Sequence, residues 1–134
     1  MTIAPMMIGQ LARETATKVT TVRFYETIGL LPEPPRTASG RRTYGASDIQ
    51  RLNFVRNGRR LGFSIDEIRS LIALAEAPNQ DCSSASVIAA RHLEDVERRL
   101  AQLTSLHNEL ATLAQSCTNK KIADCRIIQT IAGV

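Results

Sequence analysis

Tryptophan is absent from this 134-residue chain, phenylalanine and tyrosine together supply only 4% of it, and histidine occurs twice. With 43% apolar residues but so few rings, the expectation is a largely helical protein with a modest core, in a length that suits one ordinary domain plus an extended element. Apolar runs long enough to span a bilayer are also lacking, and the N-terminus has neither the charged start nor the apolar stretch of a secretory signal. The chain is therefore expected in the cytoplasm, where thiols start reduced. Cysteine is scarce as well. Three is an odd count, which argues against a closed intrachain disulfide framework and towards metal or redox chemistry. No histidine and carboxylate stand in a recognisable supporting arrangement around a cysteine, so an enzyme with a thiol nucleophile is not expected.

What is present is positive charge, unevenly spread. The net charge is +4, a weak signal by itself. Between Arg13 and Arg69, however, lie Lys18, Arg23, Arg36, Arg41, Arg42, Arg51, Arg56, Arg59 and Arg60, whereas later residues mix both signs. That asymmetry suggests a polyanionic partner. Apolar residues at helical spacing from Ile8 to Thr15, a break at Ala16 and Thr17, and a second periodic run from Val19 to Ile28 stopped by Gly29 predict two short helices joined by a tight turn. This pair fits either an ordinary helical hairpin or a helix-turn-helix whose second helix enters the major groove with Lys18, Thr20, Arg23 and Tyr25.

The following segment, Leu30-Leu31-Pro32-Glu33-Pro34-Pro35, cannot extend a helix, because proline lacks the amide donor and restricts the residue before it. Arg36 to Tyr44 then reads as a short hairpin with a Ser39-Gly40 turn. Arg36, Arg41 and Arg42 on its arms suit bidentate phosphate contacts, as on a wing beside the helix-turn-helix. Ser47 and Asp48 are candidate caps for a third helix, from Ile49 to about Leu61. Ser64 with Glu67 predicts a capping box for a fourth, from Ile65 to about Ala75. Leu52, Val55, Leu61, Phe63, Ile68, Leu71 and Ile72 are the expected core of this part.

Beyond it, Val96, Leu100, Leu103, His107, Leu110, Ala114 and Cys117 alternate by four and three, with Leu93, Leu106 and Leu113 widening the stripe. This is a coiled-coil seam, and it requires a second helix. Cys82 and Cys117 stand 35 residues apart, five whole heptads, and Cys125 follows eight positions later. At about 1.5 Å per residue, one straight helix holds Cys82 and Cys117 about 50 Å apart, too far for one ion. Two such helices paired antiparallel, centred between Arg99 and Leu100, would bring Cys82 of one chain to Cys117 of the other. The alternative is that each cysteine is a small buried hydrophobe. His92 and His107 each lie ten residues from a seam cysteine and are read as hydrogen-bonded side chains, not ligands.

Arg23-Phe24-Tyr25-Glu26, Gly29-Leu30-Leu31, Arg42-Thr43-Tyr44 and Leu61-Gly62-Phe63-Ser64-Ile65-Asp66-Glu67-Ile68 resemble the signature blocks of the MerR family of bacterial transcription regulators, in a similarity running from about Met7 to Ile128. The resemblance implies a mostly α protein: an N-terminal winged helix-turn-helix DNA-binding domain (residues 1–76), a hinge and long antiparallel coiled-coil dimerisation helix (77–117), and a metal-binding loop with a short C-terminal helix (118–134). It further implies a homodimer that represses as apo-protein, then activates a metal-resistance promoter by distorting its DNA so that RNA polymerase can engage it. In such regulators a serine opening the dimer helix accompanies monovalent ions and a cysteine divalent ones. Cys82 thus implies a three-thiolate site, Cys117 and Cys125 from one subunit and Cys82 from the other, for a soft divalent ion. Mercury, lead and cadmium rank above zinc, which wants a fourth ligand that Thr118 does not supply in place of the second adjacent cysteine of zinc-type relatives. Lys120 and Lys121 in the loop either lower the cost of gathering thiolates or merely solubilise. Ile127, Ile128 and Ile131 suggest an amphipathic helix able to pack on the DNA-binding domain. A copper(I) sensor, or a thiol redox sensor of the same fold, is the alternative, although the chain has no close CxxC pair.

Overall fold

The computed structural model describes residues 5–116 and 119–134. The chain divides into two compact units, Met1–Ala85 and Ser86–Val134. In the first, helices α1 (Ile8–Glu14) and α2 (Val19–Thr27) flank a turn held by Thr15. Its fully buried hydroxyl donates to the Leu11 carbonyl at 2.8 Å, and the Thr17 amide donates to Ala12 at 3.0 Å. Ala16 bends the chain with a φ of +49°, a conformation that costs a residue with a Cβ about 1–2 kcal/mol and that the surrounding bonds must impose. Gly29, at φ +80°, ends α2 as its position predicts.

The proline segment leads into the expected hairpin, which is compact. Arg36 and Arg42 form an isolated antiparallel bridge, and the Gly40 amide closes the turn onto Thr37 at 2.9 Å with φ +85° at Gly40. Tyr44, on the return arm, exchanges two backbone bonds of 2.9 Å with Met6, so the segment before α1 joins the wing. This pairing has no local sequence signal.

Helix α3 (Ala46–Arg60) begins three residues before the expected Ile49. Gly45 is its N-cap, Asp48 sits at N3 and its carboxylate accepts from the Gly45 amide at 2.9 Å, while Ser47 is inside the helix. Helix α4 (Ile65–Ala75) has the expected capping box: Ser64 and Glu67 satisfy each other's amides at 3.1 and 2.9 Å. Two apolar clusters hold these elements together. Met6, Leu11, Val22, Leu31, Tyr44 and Leu52 form one, Leu30, Val55, Ile68 and Ile72 the other, and Tyr25 packs against both. Leu61 is 59% exposed, contrary to its expected place in the core. As the C-cap of α3 it lies just before the turn at Gly62, whose φ is +88°. Phe63 and Leu71 are half-buried.

The second unit contains most of α5 (Ser83–Ser116), a short 3₁₀ turn (Ile122–Asp124) and α6 (Arg126–Ala132). Helix α5 has 34 residues and buries none of them. Among the described residues no helix is long and apolar enough to cross a membrane.

The same substitution has opposite effects at two helical glycines. A Cβ at Gly58 would lie 2.9 Å from Cγ1 of fully buried Ile68, so Gly58→Ala is expected to destabilise by about 1 kcal/mol. At Gly9 the nearest such atom is the Arg13 guanidinium at 3.6 Å, and Gly9→Ala is expected to stabilise by about 0.5 kcal/mol. Urea denaturation of both variants checks the pair of signs.

Candidate nucleic-acid interface and thiol site

Lys18 is the N-cap residue of α2 and is exposed, as are Thr20 and Arg23, which stand three residues apart on one face of that helix. Tyr25 is placed differently: its ring is half-buried between the two clusters. Arg23 from α2 and Arg36, Arg41 and Arg42 from the wing line one cleft of about 470 Å³, floored by Met7 and Ile8. Four guanidinium groups from two elements thus share one surface, an arrangement suited to successive phosphates of a backbone. Arg36 spends one N–H on the Gly40 carbonyl at 2.9 Å, which steadies the wing. A second cleft, along the helix-turn-helix, is lined by Arg13, Thr17 and Lys18 among others. Arg13 is absent from the candidates read from sequence. Its place on the last turn of α1, beside the turn that presents Lys18, emerges only once the two helices are packed.

Beneath the wing, the Tyr44 hydroxyl donates to Oε1 of Glu26, and Arg42 Nη1 lies 3.7 Å from Glu26 Oε2. Burial and the neighbouring carboxylate both raise the Tyr44 pKa above its ordinary value of 10.0, so the phenol stays protonated and donating.

The thiols occupy contrasting settings. Cys82 is exposed and stands immediately before Ser83, the first residue of α5. Beside it, Asp81 Oδ1 accepts from the Ser83 amide at 3.1 Å and the Ser83 hydroxyl at 2.5 Å. These bonds hold the Asp81 carboxyl below its usual range and commit it to capping α5. Cys125 is buried, at the N-cap position of α6, and its carbonyl accepts from Gln129 at 3.0 Å. The Gln129 side chain reaches back to the Ala123 carbonyl at 3.2 Å, closing the loop on itself. Lys120 and Lys121 are exposed there. Cys117 and Thr118 lie outside the described residues. Among the described residues no three His, Cys, Asp or Glu side chains gather as a metal site.

On α5, Val87, Leu93, Val96, Leu100, Leu103, Leu106 and Leu110 are between 37% and 61% exposed. His107, in the same stripe, is exposed with Nδ1 3.3 Å from Asn108 Oδ1. Ile128 and Ile131 of α6 are exposed and Ile127 is half-buried.

Residues 6–74 match the model of the MerR HTH family regulatory proteins, and residues 49–113 the MerR DNA-binding model. The chain belongs to the MerR family. It is a DNA-binding regulator of transcription, not an enzyme. It is 35% identical to the HTH-type transcriptional regulator HmrR of Sinorhizobium medicae, over 95% of this chain and 86% of that one. Identity to the mercuric resistance operon regulatory protein of Bacillus cereus is 34%, over 92% of this chain and 95% of the relative. Among solved structures, the lead(II) complex of the transcription regulator PbrR691 from Ralstonia metallidurans superposes with a TM-score of 0.82 at 36% identity, covering 94% of this chain and 98% of that one. Membership in the family accounts for the winged helix-turn-helix, and the long helix that follows is part of the same likeness.

The buried phenol gives a pH signature. A folded-state pKa raised above the unfolded value contributes stability that is complete below the ordinary value of 10.0 and is lost as pH rises beyond it. The stability difference between wild type and Tyr44→Phe is therefore expected to be constant up to about pH 10 and to shrink above it, measured by denaturant unfolding across alkaline buffers.

Proposed function

We propose that this MerR-family protein is a cytoplasmic, metal-responsive transcription regulator that senses a soft divalent ion through Cys82, Cys117 and Cys125. The observation that carries the reading is the placement of α5. It starts directly after Cys82 and runs through Ser116, the last described residue before Cys117 in the sequence, with an apolar stripe exposed along its length. A second copy paired antiparallel on that stripe would cover the leucines and bring each Cys82 to the other chain's loop, which holds Cys117 and Cys125. The homodimer is thus both the fold's requirement and the means of completing the donor set.

The residues fit a soft ion. Thiolates favour mercury, lead or cadmium over magnesium and calcium, the carboxylate beside Cys82, that of Asp81, is engaged at the helix cap, and the loop sequence offers neither a histidine nor a second adjacent cysteine as the fourth donor of tetrahedral zinc. The likeness to a lead(II)-bound regulator and to a mercuric resistance regulator supports the same class of ion. A bound ion supplies a cross-link between the start of one α5 and the loop of the partner subunit. In the first unit, Lys18, Thr20 and Arg23 enter the major groove, Arg36, Arg41 and Arg42 hold the phosphates beside it, and Tyr25 supports α2 from beneath. The dimer, on a metal-resistance promoter, represses without metal and activates with it by changing the deformation imposed on the DNA for RNA polymerase.

Titration of the reduced, metal-free protein with lead, mercury, cadmium, zinc and copper(I), followed by thiolate-to-metal absorption, tests the sensor. Wild type is expected to bind one divalent ion per site, and Cys82→Ser to lose more than about 100-fold in divalent affinity while remaining a dimer that binds DNA; loss of an outer-sphere partner alone costs about 10- to 100-fold. Copper(I) binding indifferent to the substitution would instead support a monovalent sensor. No tight metal, with reversible thiol oxidation that abolishes DNA binding, would support a redox sensor.

The wing assignment makes its own prediction. Arg36→Ala and Arg41→Ala are each expected to reduce the slope of log affinity against log salt by about 1 and to weaken binding to all DNA sequences alike. An unchanged slope in both variants would remove the wing from the interface.

A further inference from the structure

A carboxylate beneath a phosphate-binding surface opposes binding, so one kept there needs a compensating role. Glu26 is such a group. It lies on the last turn of α2, three residues past Arg23, with its side chain 9% exposed. A cleft of about 360 Å³ brings it together with Arg23 and Arg42, the two arginines that also line the four-arginine cleft. Its two oxygens are divided between partners: Oε1 takes the Tyr44 hydroxyl and Oε2 faces the Arg42 guanidinium at 3.7 Å. Tyr44 is itself immobilised, 3% exposed and tied to Met6 by two backbone bonds. Arg42 is the looser member, because its Nε is shielded from water without a hydrogen-bond partner. Glu26 therefore supplies the polar link from the DNA-reading helix to the return arm of the wing, and it faces the charged end of the arginine that needs orienting.

We propose that Glu26 is a positioning residue for sequence discrimination: through Tyr44 and Arg42 it locks wing and α2 at one separation, so the pair reads groove geometry as a single rigid gauge. The inference rests on the assignment of helix and wing as the DNA surface. Phosphates across a groove sit at separations that depend on the sequence and its deformability. Two contact sets held at fixed spacing accept only duplexes that meet that spacing cheaply. Two contact sets free to adjust accept most duplexes, because phosphate contacts carry no sequence information of their own. Glu26 thereby gives up some attraction to every DNA in exchange for preference among them.

The test uses full-length, metal-free protein at one fixed salt concentration and two probes: a duplex enriched by the wild-type protein from a randomised pool, and poly(dI·dC). Glu26→Gln keeps an acceptor for Tyr44 but releases Arg42; Tyr44→Phe keeps the charge but cuts the link to the wing. Both variants are expected to lower the ratio of enriched-duplex to poly(dI·dC) affinity by about tenfold, a loss comparable to one mismatched base pair. In Glu26→Gln the poly(dI·dC) affinity is expected to hold or rise, since a negative charge has left the surface. A role confined to stability would lower both affinities by one factor and leave the ratio intact, which overturns the proposal, as would a Glu26→Gln variant that gains on both probes equally. Arg41→Ala separates the two levels of the argument. If it weakens both probes while Glu26→Gln leaves the ratio unchanged, the wing binds DNA and Glu26 does not position it; if it weakens neither, the wing assignment fails and the positioning role with it.

Discussion

Seven large aliphatic side chains along α5 are between 37% and 61% exposed, and among the described residues of this helix none is buried. A helix in water draws most of its stability from packing one apolar face, not from intrinsic propensity. A 34-residue helix with no buried residue supplies half of the interface in the proposed dimer. The four-and-three alternation of Val96, Leu100, Leu103, His107 and Leu110 is that of a coiled-coil seam, and in the proposed dimer the other half is a second copy of the same stripe. In the proposed antiparallel pairing the symmetry does two things together: it spaces two DNA-binding units, and it sets each exposed Cys82 against a loop that one chain cannot reach with its own helix start.

The DNA-binding unit solves a different problem, that of presenting many guanidinium groups without a large core. Its two small clusters share Tyr25, and polar bonds carry much of the remaining organisation. Thr15 fixes the helix-turn-helix turn from inside. Arg51 donates to the Leu30 carbonyl at 3.1 Å and to Glu76 at 2.7 Å, so the end of α2 and the end of α4 lean on one side chain of α3. Arg69 holds the Ile28 carbonyl at 2.8 Å. The exit of α2 is thus gripped from α3 and α4, and Glu76 stands at the C-cap of α4, six residues before Cys82. The ends of α2 and α4 are thus joined through α3 by short, directional bonds within one compact unit, the kind of contact that can exist in two discrete arrangements.

What was legible in the sequence was local. The Ser64/Glu67 box, the glycine stops and the proline segment each act over three or four residues, and the structure has them where expected. The heptad stripe was legible because periodicity alone declares a face. Long-range pairing was not: Met6 with Tyr44, Glu26 with Arg42 and Arg13 beside Lys18 are set by packing, and no spacing announces them. Two local readings failed for a physical reason. The sequence suggests Asp48 as a cap at the boundary of α3, whereas from N3 its carboxylate reaches back to the Gly45 amide and the helix starts upstream, at Ala46. Leu61 has the right residue type for the core but occupies a C-cap, where the chain turns away. Of the thiols, Cys82 and Cys125 are placed at the start of α5 and the start of α6, while Cys117 falls outside the described residues and its role rests on register.

The proposed sensing site is shared between subunits, and mixed dimers test that sharing. One partner would carry Cys82→Ser and the other Cys117→Ser with Cys125→Ser, each with a different affinity tag so that only the heterodimer is purified, followed by lead(II) titration under reducing conditions. A shared site survives in one of its two copies, since the first chain supplies the loop and the second supplies Cys82. The account predicts one tightly bound lead ion per heterodimer and none in either parent homodimer. A heterodimer that binds none would show that each chain builds its site from its own cysteines, and would contradict the account.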